Sequence, residues 1–99
     1  MASNEPTWHP EADVDAEEAK KWYEQRSTSA ARGFVLAVDA GVRAILEAPE
    51  RWPQYRHGCR RYVLRRYPYN LIYRTPDGVD VEIVAVAHQK RRPTYWRDR

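Results

Sequence analysis

The run from Cys59 to Arg99 decides the fold: CRRYVLRRYPYNLIYR over 59–74, TPDG over 75–78, then VDVEIVAVAHQKRRPTYWRDR over 79–99. Residues 60–67 alternate loosely, with Tyr62 and Leu64 on one face and Arg61, Val63 and Arg65 on the other, which predicts a strand. Pro68 has no N–H to give to a ladder, so a turn or bulge should divide that strand from a second over 69–75. Pro76, Asp77 and Gly78 stand together where a hairpin has to turn. The strand after them, 79–87, is apolar on both faces from Ile83 to Ala87, as expected of a strand that is central or lies under helices. Residues 89–99 form a basic tail carrying Tyr95 and Trp96.

Upstream the hydrophobic period becomes helical. Pro10 and Glu11 suit a first turn, and Ala12, Ala16, Ala19, Trp22, Tyr23 and Arg26 recur at helical spacing, predicting a helix over 11–26. Its other face carries Asp13, Glu17, Lys20, Lys21 and Glu24, while His9 leads into it. Ser27, Thr28 and Ser29 form a cap cluster before a second helix over 30–47, which should bury Ala31, Phe34, Val35, Val38, Val42, Ile45 and Leu46. Pro49 closes it. Gly33 and Gly41 each cost a helix about 1 kcal/mol against alanine, so a close crossing with the first helix or the sheet is expected there. Three joining residues make the helices an antiparallel hairpin. Residues 49–58 read as a loop, and residues 1–8 show no clear pattern beyond a candidate edge strand at Thr7-Trp8. The predicted architecture is α+β: an N-terminal helix hairpin packed on one face of a small twisted antiparallel sheet.

Composition narrows the function. Ninety-nine residues suit one domain with one core. A single cysteine, Cys59, excludes an internal disulfide and a thiolate-built metal site, and no metal or cofactor is implied. No apolar run reaches the roughly 18 residues of a membrane span, nor does the start look like a secretion signal, so a cytoplasmic protein is expected. Residues 1–50 hold 5 Lys/Arg against 10 Asp/Glu, and residues 51–99 hold 12 against 4, so the net +3 conceals an acidic half and a basic half. Arginine forks onto phosphates and carboxylates, and here it is interleaved with Tyr62, Tyr67, Tyr69, Tyr73, Tyr95 and Trp96. That mixture favours an anionic partner held in a salt-sensitive complex over a merely solvated face.

Four pieces, in order, carry a family resemblance: Ala19 with Trp22-Tyr23; Pro49 with Trp52-Pro53; Arg60-Arg61, Tyr67-Pro68-Tyr69 and Tyr73; and Val86-Ala87-His88, Arg91-Arg92-Pro93 and Tyr95-Trp96. With them the chain resembles the RelE/ParE toxin superfamily of bacterial type II toxin–antitoxin systems. The resemblance implies two helices on a small twisted sheet, usually preceded by a first strand. It also implies a growth-inhibiting toxin held inactive by an antitoxin whose C-terminal segment wraps around it. The antitoxin is expected to carry a ribbon-helix-helix DNA-binding domain, making the toxin part of a hetero-oligomer. RelE-like members cut mRNA in the ribosomal A site; ParE-like members poison DNA gyrase.

The site residues divide the two branches. Cleavage through a 2′-hydroxyl needs a base, cations at the phosphate and an acid for the leaving oxygen. By resemblance to the nucleases, Arg61 and Tyr95 fall on functional positions, whereas Val63, Asn70 and Gln89 stand where basic groups would be. A nuclease reading would rely on Arg61, His88, Arg91 and Tyr95, with His57 and His88 as a conceivable base–acid pair. In the alternative, His88 closes a buried strand by hydrogen bonding, His57 is a loop residue, and Tyr95 and Trp96 fold back as core. Arg60, Arg65, Arg66, Lys90, Arg92 and Arg97 are the candidates for target or antitoxin contact, with Arg99 in the same tail. Strand alternation would set Arg60 and Arg66 against Arg61 and Arg65. The preferred expectation is a ParE-like toxin that binds an essential target, gyrase being the candidate. Behind it stand a ribosome-dependent mRNA endonuclease, then an inactive homologue kept as the antitoxin's partner.

Overall fold

The computed structural model describes residues 5–99; the first half of the patternless 1–8 segment lies outside the described residues. Elements run β1 (Thr7–Trp8), α1 (Pro10–Glu24), α2 (Thr28–Glu47), β2 (Arg60–Val63), β3 (Tyr69–Arg74) and β4 (Glu82–His88). The four strands lie in the order β1-β4-β3-β2. Thr7-Trp8 is a strand, and it pairs parallel to β4, so the sheet is mixed where an antiparallel one was expected. The other two pairings, β3 with β4 and β2 with β3, are antiparallel.

Helix boundaries follow local chemistry. His9 Nδ1 accepts from Glu11 N at 3.1 Å and caps α1, so Pro10 sits in the first turn where its missing N–H does no harm. Ser27 Oγ accepts from Ala30 N at 3.1 Å, which starts α2 two residues earlier than its apolar pattern suggested. α2 buries Ala31, Phe34, Val38 and Ile45 and half-buries Val42 and Leu46, whereas Val35 faces solvent, as does half of Trp22 on α1. Arg26 covers that indole, its guanidinium 3.6 Å from the ring centroid.

Both glycines of α2 mark close approach to the sheet, not to α1. A Cβ at Gly41 would lie 2.9 Å from Leu71 Cδ1 and 2.9 Å from Tyr62 Cε1. One at Gly33 would collide with the Tyr67 hydroxyl, which donates to Ala30 O at 2.8 Å.

The strands are shorter than the alternating pattern. β2 stops at Val63: Leu64 N turns back to Tyr69 O, Arg66 takes a left-handed φ of 67°, and Tyr67 swings under α2. Arg65 and Arg66 are therefore exposed turn residues, and the alternation that would have set them on opposite faces does not apply. β4 starts at Glu82, not residue 79, because Asp77 Oδ1 accepts from Val79 N at 2.9 Å and Asp80 N at 2.7 Å. Those backbone donors are thereby withdrawn from the ladder, and they also hold the Asp77 carboxyl below its ordinary pKa.

A register shift between Ile72 and Tyr73 leaves Val84 as the extra residue of β4. Ile83 and Val86 thus face the helices with Leu71, Tyr73, Phe34 and Val38, while Val84, Ala85 and Ala87 face away. That second face, to which Ile72 of β3 also belongs, packs with Cys59 and with Trp96, the last only 2% exposed. Trp96 is core, and β4 is buried on both sides as its composition required. Gly41→Ala should lower stability by about 1 kcal/mol, overpacking of roughly 1–3 kcal/mol outweighing a propensity gain of about 1. Chemical denaturation checks this, and a more stable variant would contradict the tight crossing.

Candidate functional site

Two places on the molecule concentrate chemistry. The first is the free margin of β4. β1 pairs with only Glu82 and Ile83, which would leave the rest of that strand's backbone unpartnered on this side. Side chains take over where β1 ends. Asp15 of α1 accepts from Val86 N at 3.1 Å through Oδ2; Tyr95 donates to the same oxygen at 3.0 Å; Arg99 forks onto Asp15 at 2.6 and 3.2 Å and donates to Val84 O at 3.1 Å. Asp15 is 7% exposed, and the Arg99 side chain 12%. Burial works against the Arg99 guanidinium, but the hydrogen bond and charge of Asp15 outweigh it, and its pKa is raised. Arg74 continues the cluster, donating to Glu82 at 2.6 Å and to Arg99 O at 3.0 Å.

Sequence reasoning misses the Asp15–Arg99 pair, placing Arg99 among the tail cations expected to touch a target. A signal is nevertheless present: Asp15 follows Ala12 by three and precedes Ala19 by four, so it lies on the buried stripe of α1.

The second place is a cleft of about 360 Å³ on the sheet face turned away from the helices. Val63, Ile72, Ala87 and Trp96 form its apolar floor, Asn70 and Gln89 bring amides, and Arg61, Arg91 and Arg92 bring charge. Gln89 Nε2 approaches Asn70 Oδ1 at 3.4 Å. Arg61 is held over the Tyr55 ring at 4.6 Å and Arg91 over Tyr95 at 3.7 Å. No acidic side chain among the described residues lines the cleft. Strand geometry explains the grouping: Arg61 pairs with Ile72 and Val63 with Asn70, so all four share one face. Among the described residues, Arg61, Arg65, Arg66, Lys90, Arg91, Arg92 and Arg97 form no ion pair with a carboxylate.

The remaining candidates are dispersed. His88 follows Ala87 in β4 and pairs with Tyr69, so its ring lies on the helix side, 4.9 Å from Tyr69 in an edge contact. Its Nδ1 accepts from Lys90 N at 3.0 Å, the local hydrogen bond of a strand end. Although His88 borders the cleft, its imidazole is directed to the face opposite Arg61. His57 sits in the loop before Cys59 with φ 55°, its ring edge-on to Trp96 at 5.9 Å, and it does not meet His88. Arg60 lies off the cleft and donates to Glu50 O at 3.1 Å and Trp52 O at 2.7 Å, bracing the 49–58 loop. Arg65 and Arg66 are in the β2–β3 turn, and Lys90 and Arg97 are exposed on the tail. The tail turns through Thr94 at φ 75°, a strained value for a β-branched residue, before Tyr95 and Trp96 enter the fold.

The family described as "ParE toxin of type II toxin-antitoxin system, parDE" matches residues 7–93. The chain belongs to the ParE toxin family. A search of curated proteins gives no match. A solved structure described as "Chromosomal ParDE TA system from P. aeruginosa" is similar with a TM-score of 0.71 at 18% identity, covering 87% of this chain and 98% of that one. At that identity the likeness speaks for the fold: two helices on a four-stranded sheet. Membership of the ParE family makes this a type II toxin, and a system of that type implies an antitoxin partner. No helix among the described residues is long and apolar enough to cross a membrane.

Two tyrosines should show in alkaline unfolding. Burial raises the Tyr73 pKa to about 12, with Arg60 pulling slightly the other way, while its hydroxyl donates to Pro49 O at 2.5 Å. Tyr95 is pushed further up, first by burial and then by the charge and hydrogen bond of Asp15. In the unfolded chain both ionise near pH 10. Below that pH the two states hold the same protons and the contribution is constant; above it the unfolded chain loses protons that the folded one keeps, so stability falls. Urea midpoints should be flat through the neutral range and drop between about pH 10 and 12, with a shallower drop in Tyr73→Phe. A midpoint independent of pH over that window would contradict the burial of these hydroxyls.

Proposed function

We propose that this ParE-type toxin acts by occupying an essential target, DNA gyrase, without chemistry of its own, and that its cognate antitoxin holds it inactive. The observation that supports this best is the cleft floor. Val63, Asn70 and Gln89 occupy the positions at which ribonuclease relatives would place cations, and none can hold charge against a pentavalent phosphate. Nor do the other nuclease candidates converge. The His88 ring is turned toward Tyr69 on the helix side, and the Tyr95 hydroxyl is committed to Asp15 with its pKa raised, which makes it a poor proton donor near neutrality. Arg61, Arg91 and Arg92 remain as a binding surface.

On this reading the toxin works in the cytoplasm. The antitoxin, with a ribbon-helix-helix DNA-binding domain, engages the uncompensated arginines Arg61, Arg65, Arg66, Arg92 and Arg97 through carboxylates. Each of these is exposed or half-exposed and makes no ion pair among the described residues, so a partner need not break an internal contact to reach it.

Supercoiling assays with purified gyrase are the test. The expected result is loss of negative supercoiling and accumulation of DNA breaks on adding the chain, relieved by the antitoxin, with ribosome-bound mRNA intact and His88→Ala as toxic as the parent. Cleaved mRNA that disappears in His88→Ala would replace this reading with an endonuclease. Absence of any growth defect would leave an inactive homologue retained for antitoxin binding.

A further inference from the structure

We propose that the cleft on the outer sheet face is a binding site for single-stranded nucleic acid, taking one nucleotide between Arg61 and the Arg91-Arg92 turn without cutting it. The inference deepens the gyrase reading and rests on it in one respect: it makes an exposed DNA strand part of what the toxin grips when it blocks its target.

Three features on one face support it. Arg61, Arg91 and Arg92 border a concavity that no carboxylate of the described residues enters, and none has an ion pair to give up. Arg61 and Arg91 are stacked on Tyr55 and Tyr95, which fixes the planes of their guanidinium groups and lowers the entropy lost on gripping a phosphodiester. Between them, half-exposed Val63 stands above buried Ile72 and Ala87, giving a base an apolar side chain to lie against. The Asn70 and Gln89 amides sit side by side at its margin, offering both donor and acceptor to a base edge.

A run of carboxylates such as polyglutamate would use the arginines and leave the amide pair and the apolar floor unemployed. A cleft of about 360 Å³ is of the size of one nucleotide, so an unpaired strand can place a base in it, whereas a duplex would first have to open a pair. The phosphodiester and the base edge that the site would grip are common to DNA and RNA, so the two single strands are separate arms of the test. Binding without cleavage follows from the same residues. No imidazole among the described residues faces the cleft alongside Arg61, and the amides cannot move a proton near neutrality.

The test is fluorescence anisotropy of the free toxin with short labelled single-stranded DNA and RNA oligonucleotides, a hairpin duplex and a polyglutamate peptide as separate arms. Expected is binding to one or both single strands in preference to duplex and peptide, falling with salt at a log–log slope of about −1.4 for the two phosphates that flank one nucleotide. Arg61→Gln combined with Arg92→Gln should weaken binding about tenfold or more at low salt. Arg32→Gln with Arg43→Gln, on the solvent side of α2 across the sheet, removes the same charge and should retain it. Circular dichroism confirms that both double variants fold.

Preference for the peptide or the duplex, equal loss in the two double variants, or intact binding in the cleft variant each overturns the proposal. Gyrase inhibition is measured on the parent chain and the same variants. In the parent chain, no strand binding with gyrase inhibition present removes this inference and leaves the gyrase reading standing; strand binding without gyrase inhibition does the reverse.

Discussion

Everything on the outer face of this toxin depends on a buried carboxylate. Asp15 reaches from α1 past the short β1 to the margin of β4, where it takes the Val86 N–H and is met by Tyr95 and Arg99. A strand margin left open invites pairing with another chain. Here an ion pair and three hydrogen bonds between side chains and the β4 backbone occupy that margin, and the same bonds pull the C-terminal tail against the sheet. A buried ion pair contributes little net stability, because desolvation offsets attraction; its value lies in fixing one arrangement. The arrangement fixed is the position of residues 95–99, and through it the packing of Trp96 on Cys59, Ile72 and Val84.

That anchoring sets the shape of the outer face. With Trp96 seated, the bulge at Val84 and the small residues Ala85 and Ala87 are covered, and the turn 89–94 is forced to arch over the end of the sheet. The arch brings Arg91 and Arg92 beside Arg61 and leaves the cleft between them. Meanwhile the helix hairpin seals the opposite face so closely that a side chain at position 33 would press on Tyr67 and one at 41 on Leu71 and Tyr62. One face is thus spent on stability and the other left concave, cationic and free of carboxylates among the described residues, which is the division of labour a binding protein needs.

Most of this architecture was legible in the chain. Period and caps located both helices, Pro68 and the Pro76-Asp77-Gly78 turn located the strands, and the two-sided apolar run of β4 announced a central strand. Three things were not. Alternation past Val63 looked like more strand, but Pro68 cannot continue a ladder and Arg66 takes a left-handed φ, so the turn arrives earlier. A two-residue strand such as Thr7-Trp8 carries too little pattern to reveal its direction, and only the register with Glu82 and Ile83 shows it to be parallel. Arg99 reads like any other tail cation: the buried stripe of α1 marks Asp15, but nothing beside Arg99 marks it as the partner. Among the candidate site residues, Arg61, Arg91 and Arg92 do meet, while alternation along β4 sends His88 to the far side; the shift at Val84, which sets that alternation, leaves no mark in the sequence.

A double-mutant cycle on Asp15→Asn and Arg99→Gln, read by urea denaturation at neutral pH, tests the central claim most directly. The account predicts that each single change costs about 3 kcal/mol or more by stranding a buried partner, and that the double variant costs less than the sum by about 1–3 kcal/mol. Strictly additive effects, or single changes that cost no more than exposed surface substitutions, would contradict it.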